Sequence, residues 1–449
     1  MKILVMKFGG TSVATPEARA LSASRVISAR EAGYSPVVVV SAIGRKGAPY
    51  ATDTLLSVLH EVDPHTSPNR RETDLLMACG EILSSVIFTQ VLKSMGYPAV
   101  AVTGQQAGIF TDPEYGNARI RRIEPSNLLR WLGQGLVPVV CGFQGTIEPG
   151  GEVGPGEVTT LGRGGSDTTA SALGAALQAV AVEIYTDVDG VKTADPDYVP
   201  DAPTLRKVTY EEVAEIAHLG AKVLHPRAAE IAMRYSIPLF VKSTFSDAPG
   251  TEIVPLDKLP GRRITGVTHS GKLVFLSFDF SPAPAAHRRE LASRIYHAMA
   301  VNGVNLHMLN LSPDGTGFAV PRTQYPMVES LLNGLVVPVG EERAIYLMQI
   351  GQVETKAVQT QAALLERFGP VVRIRADVTE SCTMVSVIGH EYLQQPGVFH
   401  RAIRVLAENQ IAVLQTSDSE LSMSLLILES ETRRAVSLLH DAFGLQEAT

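Results

Sequence analysis

The stretch Leu161-Gly-Arg-Gly-Gly-Ser-Asp167-Thr-Thr-Ala170 constrains the fold most, because it empties into the small-residue pattern Ser171-Ala-Leu-Gly-Ala-Ala-Leu177. Glycines at 162, 164 and 165 accept left-handed backbone and close approaches that a β-carbon would block. A helix starting there aims its unpaired N–H groups and positive dipole end at the loop. Such a loop binds anions. Within the run, Arg163 offers a cation for a carboxylate, and Asp167 an acid that can organise a metal ion or a lysine. An ordinary tight turn before a helix is the other reading of the same residues.

Composition narrows the partners. At 449 residues, the length suggests roughly two to four domains, and 45% hydrophobic content fills real cores. A formal net charge of -7 without a long basic run speaks against nucleic acid. Lys2 to Met6 begins as a strand without the basic-then-apolar layout of a signal peptide, and there is no unbroken 18-residue apolar run. The expectation is a cytoplasmic protein with no membrane partner. Cys79, Cys141 and Cys382 lack metal or disulfide spacing and are expected as small buried residues.

Taken in order, Lys2 to Phe8 reads as a buried strand stopping at Gly9-Gly10-Thr11-Ser12, followed by a helix from Pro16 capped by Thr15. Neither the P-loop nor the dinucleotide fingerprint is present. Lys7, at the strand end beside paired glycines, either neutralises a transferring phosphoryl group or merely ends a strand. Pro36 to Ser41 is a continuous apolar strand of the parallel-sheet kind, and the polar loop from Gly44 to Asp53 lies at its carboxyl end, where α/β sheets bind ligands. Asp53–His60 and Glu72–Lys93 read as helices, and Glu81 in the second needs a partner if buried. Residues 148–157 suggest a surface hairpin. The strand Ala181 to Tyr185 ends in Thr186-Asp187-Val-Asp-Gly190, which suits ribose, magnesium or lysine contacts, or is simply a turn. Thr209-Tyr-Glu-Glu212 is a capping box.

Pro255 to Arg263 reads as a linker, and beyond it an internal repeat appears. Val301 to Ser312 with the strand to Val320 matches Glu408 to Ser419 with the strand to Ile427, 107 residues later, each copy preceded by a helix. A duplicated β-α-β-β unit points to paired small-molecule sensing modules or to plain structural duplication.

Six motifs, in order, carry a resemblance: Lys7-Phe-Gly-Gly-Thr-Ser12, Cys79-Gly-Glu81, Gly142-Phe-Gln-Gly145, Leu161 to Asp167, Tyr185-Thr-Asp-Val-Asp-Gly190 and Gly220-Ala-Lys-Val-Leu-His-Pro226. Together they resemble the aspartate kinase family over nearly the whole chain. The resemblance implies an amino-acid-kinase α/β three-layer sandwich with a mainly parallel central sheet over 1–254. A linker at 255–263 and an α+β regulatory region at 264–449 would follow, with two ACT modules at about 264–340 and 380–449 around an atypical segment. The implied reaction moves the ATP γ-phosphate to the side-chain carboxylate of L-aspartate, with Mg2+. By resemblance Lys7 and the Gly9 and Gly10 amides stabilise the moving phosphoryl group, and Asp167 organises the lysine and magnesium. Arg163 grips an aspartate carboxylate, Glu81 faces its ammonium, and Ser41, Thr52, Phe143 and Ser166 line the pocket. Thr11, Gly164, Gly165, Thr186, Asp187, Lys192 and Asp195 would contact the nucleotide.

The chain departs from the family where Asp197 follows Asp195-Pro196 in place of an arginine, and where Lys192 stands in place of a frequent tyrosine. Residues 343–376 read as strand, helix and strand without a counterpart in compact two-ACT relatives. The 44–53 loop looks like Bacillus-type enzymes under diaminopimelate control. Lysine, threonine or diaminopimelate is therefore the implied effector, with Asn305, Ser312, Asp418 and Ser419 as candidate contacts in polar loops, and the ACT modules imply a homo-oligomer. Rival readings are a kinase for acetylglutamate, glutamate or carbamate, and a silent amino-acid-binding regulator. Glu81 argues against an acylated amine, and intact Lys7 and Asp167 argue against silence.

Overall fold

Apolar runs without polar alternation belong in a sheet covered on both faces, and two of them form the centre of the first unit. In the computed structural model, β1 (Ile3–Phe8) and β2 (Ser35–Val40) pair in parallel, with Lys7 opposite Val39 and Phe8 opposite Val40. The structure describes residues 1–449 except 64, 65, 67, 149–155, 222, 260–263, 341–343, 352–355, 368–369, 391–395 and 448–449. Most of the expected 148–157 hairpin and part of the 255–263 linker thus lie outside the described residues, as does Lys222. Two units are present: Met1–Pro196 with Asp201–Gly266 and Leu445–Thr449, and Asp197–Pro200 with Val267–Gly444.

In the first unit, α1 (Pro16–Glu31) opens on Thr15, whose hydroxyl accepts a hydrogen bond from Ala18 N at 3.2 Å, with proline at its first position. Then come α2 (Thr52–Val62), α3 (Arg70–Ser94), β3 (Ala99–Val102), β4 (Ile109–Thr111), β5 (Ile120–Ile123), α4 (Ser126–Gly133), β6 (Val137–Cys141), β7 (Gln144–Ile147) and β8 (Val158–Thr160). The unit continues with α5 (Gly165–Ala176), β9 (Ala181–Thr186), β10 (Lys207–Thr209), α6 (Tyr210–His218), α7 (Pro226–Arg234), β11 (Leu239–Ser243) and β12 (Thr251–Val254). Thr209 and Glu212 form the expected reciprocal capping box on α6.

The main sheet has the order β10-β12-β11-β9-β1-β2-β6-β3, parallel throughout except for the β11–β12 pair. A second sheet, β5-β4-β7-β8, is separate. On β1, Leu4, Met6 and Phe8 pack with Ala23 and Val26 of α1 and with Phe88 and Leu92 of α3. Alternation turns Ile3, Val5 and Lys7 to the other face, where α5 packs. The result is the three-layer α/β sandwich expected from the sequence. Phe8 is fully buried between Phe88 and Tyr185, with ring centroids 5.6 and 4.9 Å away, and its truncation to alanine would cost about 3–5 kcal/mol.

α3 is long and apolar enough, by length and composition, to cross a membrane, yet half of that stretch is buried inside the protein. Cys141 and Cys382 are buried as expected, but Cys79 is exposed because it lies on the outer face of α3 with Leu75, Ile82 and Val86.

The second unit contains β13 (Gly266–Asp279), α8 (Ala285–Val301), β14 (His307–Ser312), β15 (Gly315–Pro321), α9 (Tyr325–Leu332) and β16 (Val336–Val339). After β17 (Ala344–Ile350), α10 (Lys356–Leu365) and β18 (Val371–Ile388) come α11 (Val398–Glu408), β19 (Gln415–Asp418), β20 (Ser422–Leu428) and α12 (Thr432–Ala442). The repeat is visible as β13-α8-β14-β15 and β18-α11-β19-β20. Of segment 343–376, the described residues form β17, α10 and the start of β18, with β17 and β18 parallel and Ile345 opposite Val371 and Ile350 opposite Ala376. The same strand β18 then turns antiparallel partner to β20 from Cys382 to Ile388. One strand therefore ends the inserted segment and starts the second repeat.

Candidate active site

The carboxyl ends of β1, β2 and β6 open on a cavity of about 430 Å³, the place where open α/β sheets bind ligands. Lys7, Gly10, Ser41, Thr52, Glu81, Phe143, Arg163, Gly164, Gly165, Ser166 and Asp167 all line it, brought together from most of the first 167 residues. The N-terminal ends of α2 and α5 face the same space, and neither has a side-chain cap. Uncapped N–H groups and two dipole ends make this wall receptive to anions. Gly164 must be glycine: its φ is +69°, and a β-carbon would come within 2.1 Å of the His225 ring.

Two charges meet at the base of the loop. Lys7 Nζ lies 2.6 Å from Asp167 Oδ1, with both side chains almost buried, and His225 N donates to Asp167 Oδ2 at 3.3 Å. The pair follows from the topology, since Lys7 is on the α5 face of β1 and Asp167 is in the first turn of α5. Asp167 thus fixes the ammonium at the end of β1 through a short, charge-assisted contact.

An acid and a base of the cavity lining are left with unused hydrogen-bonding capacity. Glu81 is buried, its Oε1 accepts from Ala42 N at 2.9 Å, and its Oε2 has no partner. Burial pushes its carboxyl up to about 8, against the pull of the Ala42 donor. Arg163 is exposed at the rim and forms no hydrogen bond or ion pair with any described residue. Phe143, in the same lining, has φ +69°, a strained value for a bulky residue, held by donation from its N to Thr169 Oγ1 at 3.1 Å and by Leu161 N donating to Phe143 O at 2.9 Å.

On the other side of Lys7, Gly9 N donates to Tyr185 O at 3.2 Å, and Gly10 O accepts from Gly44 N at 3.0 Å, which ties the glycine turn to β9 and to the 44–53 loop. Thr186 and Asp187 follow at the end of β9, and Arg45 Nη2 pairs with Asp187 Oδ2 at 2.6 Å. Gly9, Thr11, Thr186, Asp187, Lys192 and Asp195 are not among the residues that line the cavity. Lys192 departs most from expectation: its ammonium donates to Ala202 O at 3.2 Å and Thr204 Oγ1 at 3.3 Å, which commits the cation to its own loop. Sequence reasoning does not single out His225 or Arg45 as site residues. His225 sits in the last of the six motifs, and Arg45 in the polar loop after β2, so a signal exists for both.

The amino acid kinase family profile matches residues 2–243, and an ACT domain profile matches 385–443. Bacillus subtilis Aspartokinase 1 is 37% identical over 454 residues, covering 100% of both chains. The chain belongs to the aspartokinase family. Escherichia coli aspartokinase III in complex with aspartate and ADP (R-state) shares the fold at 24% identity, with a TM-score of 0.70 over 98% of this chain and 99% of that one. The E. coli enzyme with lysine and aspartate (T-state) matches with a TM-score of 0.67 at 24% identity, over 99% of this chain and 100% of that one. The chain is accordingly an ATP-dependent aspartate kinase with allosteric regulation. A substrate carboxylate oxygen attacks the γ-phosphorus, ADP leaves, and 4-phospho-L-aspartate forms without a covalent protein intermediate.

The four candidate effector residues of this kinase are exposed. Asn305 precedes β14, Ser312 ends it, and Asp418 ends β19 opposite Met423. The expected polar loops are in part edge strands, because residues 307–312 pair with β15 and 415–418 with β20. Ser312 Oγ donates to Gly315 O at 3.2 Å, and Ser419 Oγ accepts from Leu421 N and Ser422 N at 3.2 and 3.1 Å, so both serines also close turns.

Proposed function

We propose that Glu81 and Arg163 read L-aspartate as a free amino acid, while Lys7 and the Gly10 amide receive the transferring phosphoryl group; the Gly9 amide expected to share that role instead donates to Tyr185 O. The observation that supports this most is the unpartnered Glu81 Oε2 and the unengaged Arg163 guanidinium in one cavity. An ammonium answers the first and a carboxylate the second. An N-acylated substrate brings no ammonium to draw the proton from Glu81 and forfeits that ion pair, which favours aspartate over an acetylated acceptor. Ser41, Thr52, Phe143 and Ser166 complete the substrate wall. Asp167 holds Lys7 in place, and Thr11, Gly164, Gly165, Thr186, Asp187 and Asp195 serve the nucleotide.

Among the described residues no three acids, histidines or cysteines converge. That donor set fits Mg2+, which usually binds through one or two carboxylates plus substrate phosphates rather than an all-protein cage. Asp167 is the carboxylate placed to hold it, and the ion would neutralise phosphate charge. The repeat region serves as two ACT modules that carry an amino-acid effector, with lysine, the ligand of the E. coli T-state structure, tested beside threonine and diaminopimelate. Assembly through these modules and a cytoplasmic location complete the reading.

The test is a steady-state comparison of Arg163→Ala with the parent chain. Aspartate KM should rise by about tenfold or more while ATP KM holds. A change confined to ATP would reassign Arg163 to the nucleotide.

A further inference from the structure

Seven residues before Glu81, about two turns along the same face of α3, stands a second buried acid. Asp74 is fully buried, and it faces neither solvent nor a cation. Its Oδ2 accepts from Thr160 N at 2.7 Å and from Gly116 N at 2.9 Å, and its Oδ1 accepts from Thr160 Oγ1 at 2.8 Å. Thr160 is the last residue of β8, three positions before Arg163. Glu81 and the anchor of the Arg163 loop are thus held by one rigid helix.

A second clamp comes from α7. Arg227 Nη1 donates to Leu161 O at 3.1 Å, and Nη2 donates to Asn117 Oδ1 at 2.8 Å. Ala118 N donates to Thr160 O at 2.9 Å, and a β-carbon on Gly162 would come within 3.1 Å of Asn117 Oδ1 and 3.2 Å of Gly116 O. The Gly116-Asn117 turn therefore packs directly on the loop that carries Arg163, and Gly116 itself lines the cavity.

We propose that Asp74 and Arg227 are positioning residues that set the span between Glu81 and Arg163, and with it the enzyme's discrimination of aspartate from longer dicarboxylic amino acids. The proposal rests on the reading that Glu81 and Arg163 hold the substrate. A carboxylate with three donors is a stiff joint, because both oxygens are used: an apolar substitute leaves two buried N–H groups unpaired, and asparagine keeps one acceptor oxygen but loses the charge-assisted bonds. Bidentate arginine is stiff for the same reason, as its fork fixes two acceptors at once. Neither residue lines the cavity. One extra methylene is the difference between aspartate and glutamate, a distinction of about 10- to 200-fold for a well-fixed pocket. A pocket whose two grips move relative to each other loses it.

The experiment measures kcat and KM for aspartate, glutamate and ATP in Asp74→Asn, Arg227→Ala, Arg227→Lys and the control Arg163→Ala, with a melting curve for each. Asp74→Asn and Arg227→Ala should raise aspartate KM about tenfold, leave ATP KM within about twofold, and narrow the aspartate-to-glutamate ratio of kcat/KM. Arg227→Lys, which keeps one donor, should fall between. If Asp74→Asn does not fold, the partly exposed Arg227 decides alone. Lowered melting temperature with unchanged aspartate KM, or equal rises for aspartate and ATP, would overturn the positioning role. Should Arg163→Ala itself leave aspartate KM unchanged, the underlying substrate reading fails, and that outcome is distinct from failure of the two clamps alone.

Discussion

The floor of the cavity in the first unit and the edge strands β14 and β19 of the second both carry residues assigned to amino-acid recognition, yet they hold them in opposite ways. At the cavity, Lys7, Glu81 and Asp167 are almost or fully buried, and each makes contacts that leave it little freedom. At the edges, Asn305, Ser312, Asp418 and Ser419 are exposed. Burial penalises a charge unless it is answered, so a cavity residue cannot be exchanged without a large effect. An exposed residue acts only through a ligand's preference for one state over another. The residues proposed for chemistry thus sit in a few strongly constrained contacts, and those proposed for effector binding are exposed side chains.

The sharpest break of that contrast would come from Lys7. Lys7→Ala should lower kcat by about 10²–10³-fold, as expected for loss of a group aimed at transition-state charge, and should leave Asp167 as an unanswered acid. Single-turnover phosphoryl transfer checks it, and unchanged turnover in a folded variant would remove Lys7 from the chemistry.

Glu81→Gln should raise aspartate KM by roughly 10- to 100-fold, the contribution of a hydrogen bond to a charged group. Its pH behaviour is more telling. With the folded carboxyl pushed up to about 8 by burial, the free enzyme holds a proton that the unfolded chain has lost above about 4.5. Stability of the ligand-free enzyme therefore falls as pH rises through that window, since the folded state binds more protons there. Aspartate needs the ionised carboxylate for its ammonium, so aspartate KM should fall between about pH 6 and about pH 8. Glu81→Gln should flatten both slopes, and an unchanged KM profile would show that Glu81 does not face the ammonium.

Smaller effects are expected at the edges. Asn305→Ala or Asp418→Ala should shift the inhibition constant of the effective amino acid by about fivefold or more while uninhibited kcat stays put, a coupling of about 1 kcal/mol. Inhibition curves with lysine, threonine and diaminopimelate, singly and in pairs, measure it. Full activity under all of them would leave the repeats as assembly elements. On stability rather than on inhibition, Gly164→Ala should destabilise the first unit by at least about 1–3 kcal/mol through left-handed backbone strain and contact with His225. Thermal melts check it, and His225→Gly in the same chain, which removes the clashing β-carbon as well as the ring, should return part of the loss.

Sequence reading reaches the sandwich because β1 and β2 are unbroken apolar runs, and it reaches the anion loop because three glycines precede a small-residue helix. It finds Glu81 through its motif. It misses what depends on tertiary approach: Asp74 looks like one more helical acid until Thr160 and Gly116, 86 and 42 positions away, supply its donors. His225 is only one residue of a motif until Gly164 brings it against the loop. Lys192 reads as a nucleotide contact, yet Ala202 and Thr204 take its ammonium. Cys79 reads as a buried residue, but it shares an exposed stripe of α3. Strands β14 and β19 read as loops because an edge strand with solvent on more than one side loses the apolar alternation that marks a strand.

The most direct measurement compares aspartate with N-acetylaspartate as acceptors in a coupled ADP-release assay, for the parent chain and for Glu81→Gln. If Glu81 and Arg163 read a free amino acid, the parent should phosphorylate aspartate at least about tenfold more efficiently, and Glu81→Gln should lose most of that preference. Equal use of both acceptors by the parent chain, or a preference untouched in Glu81→Gln, would contradict it.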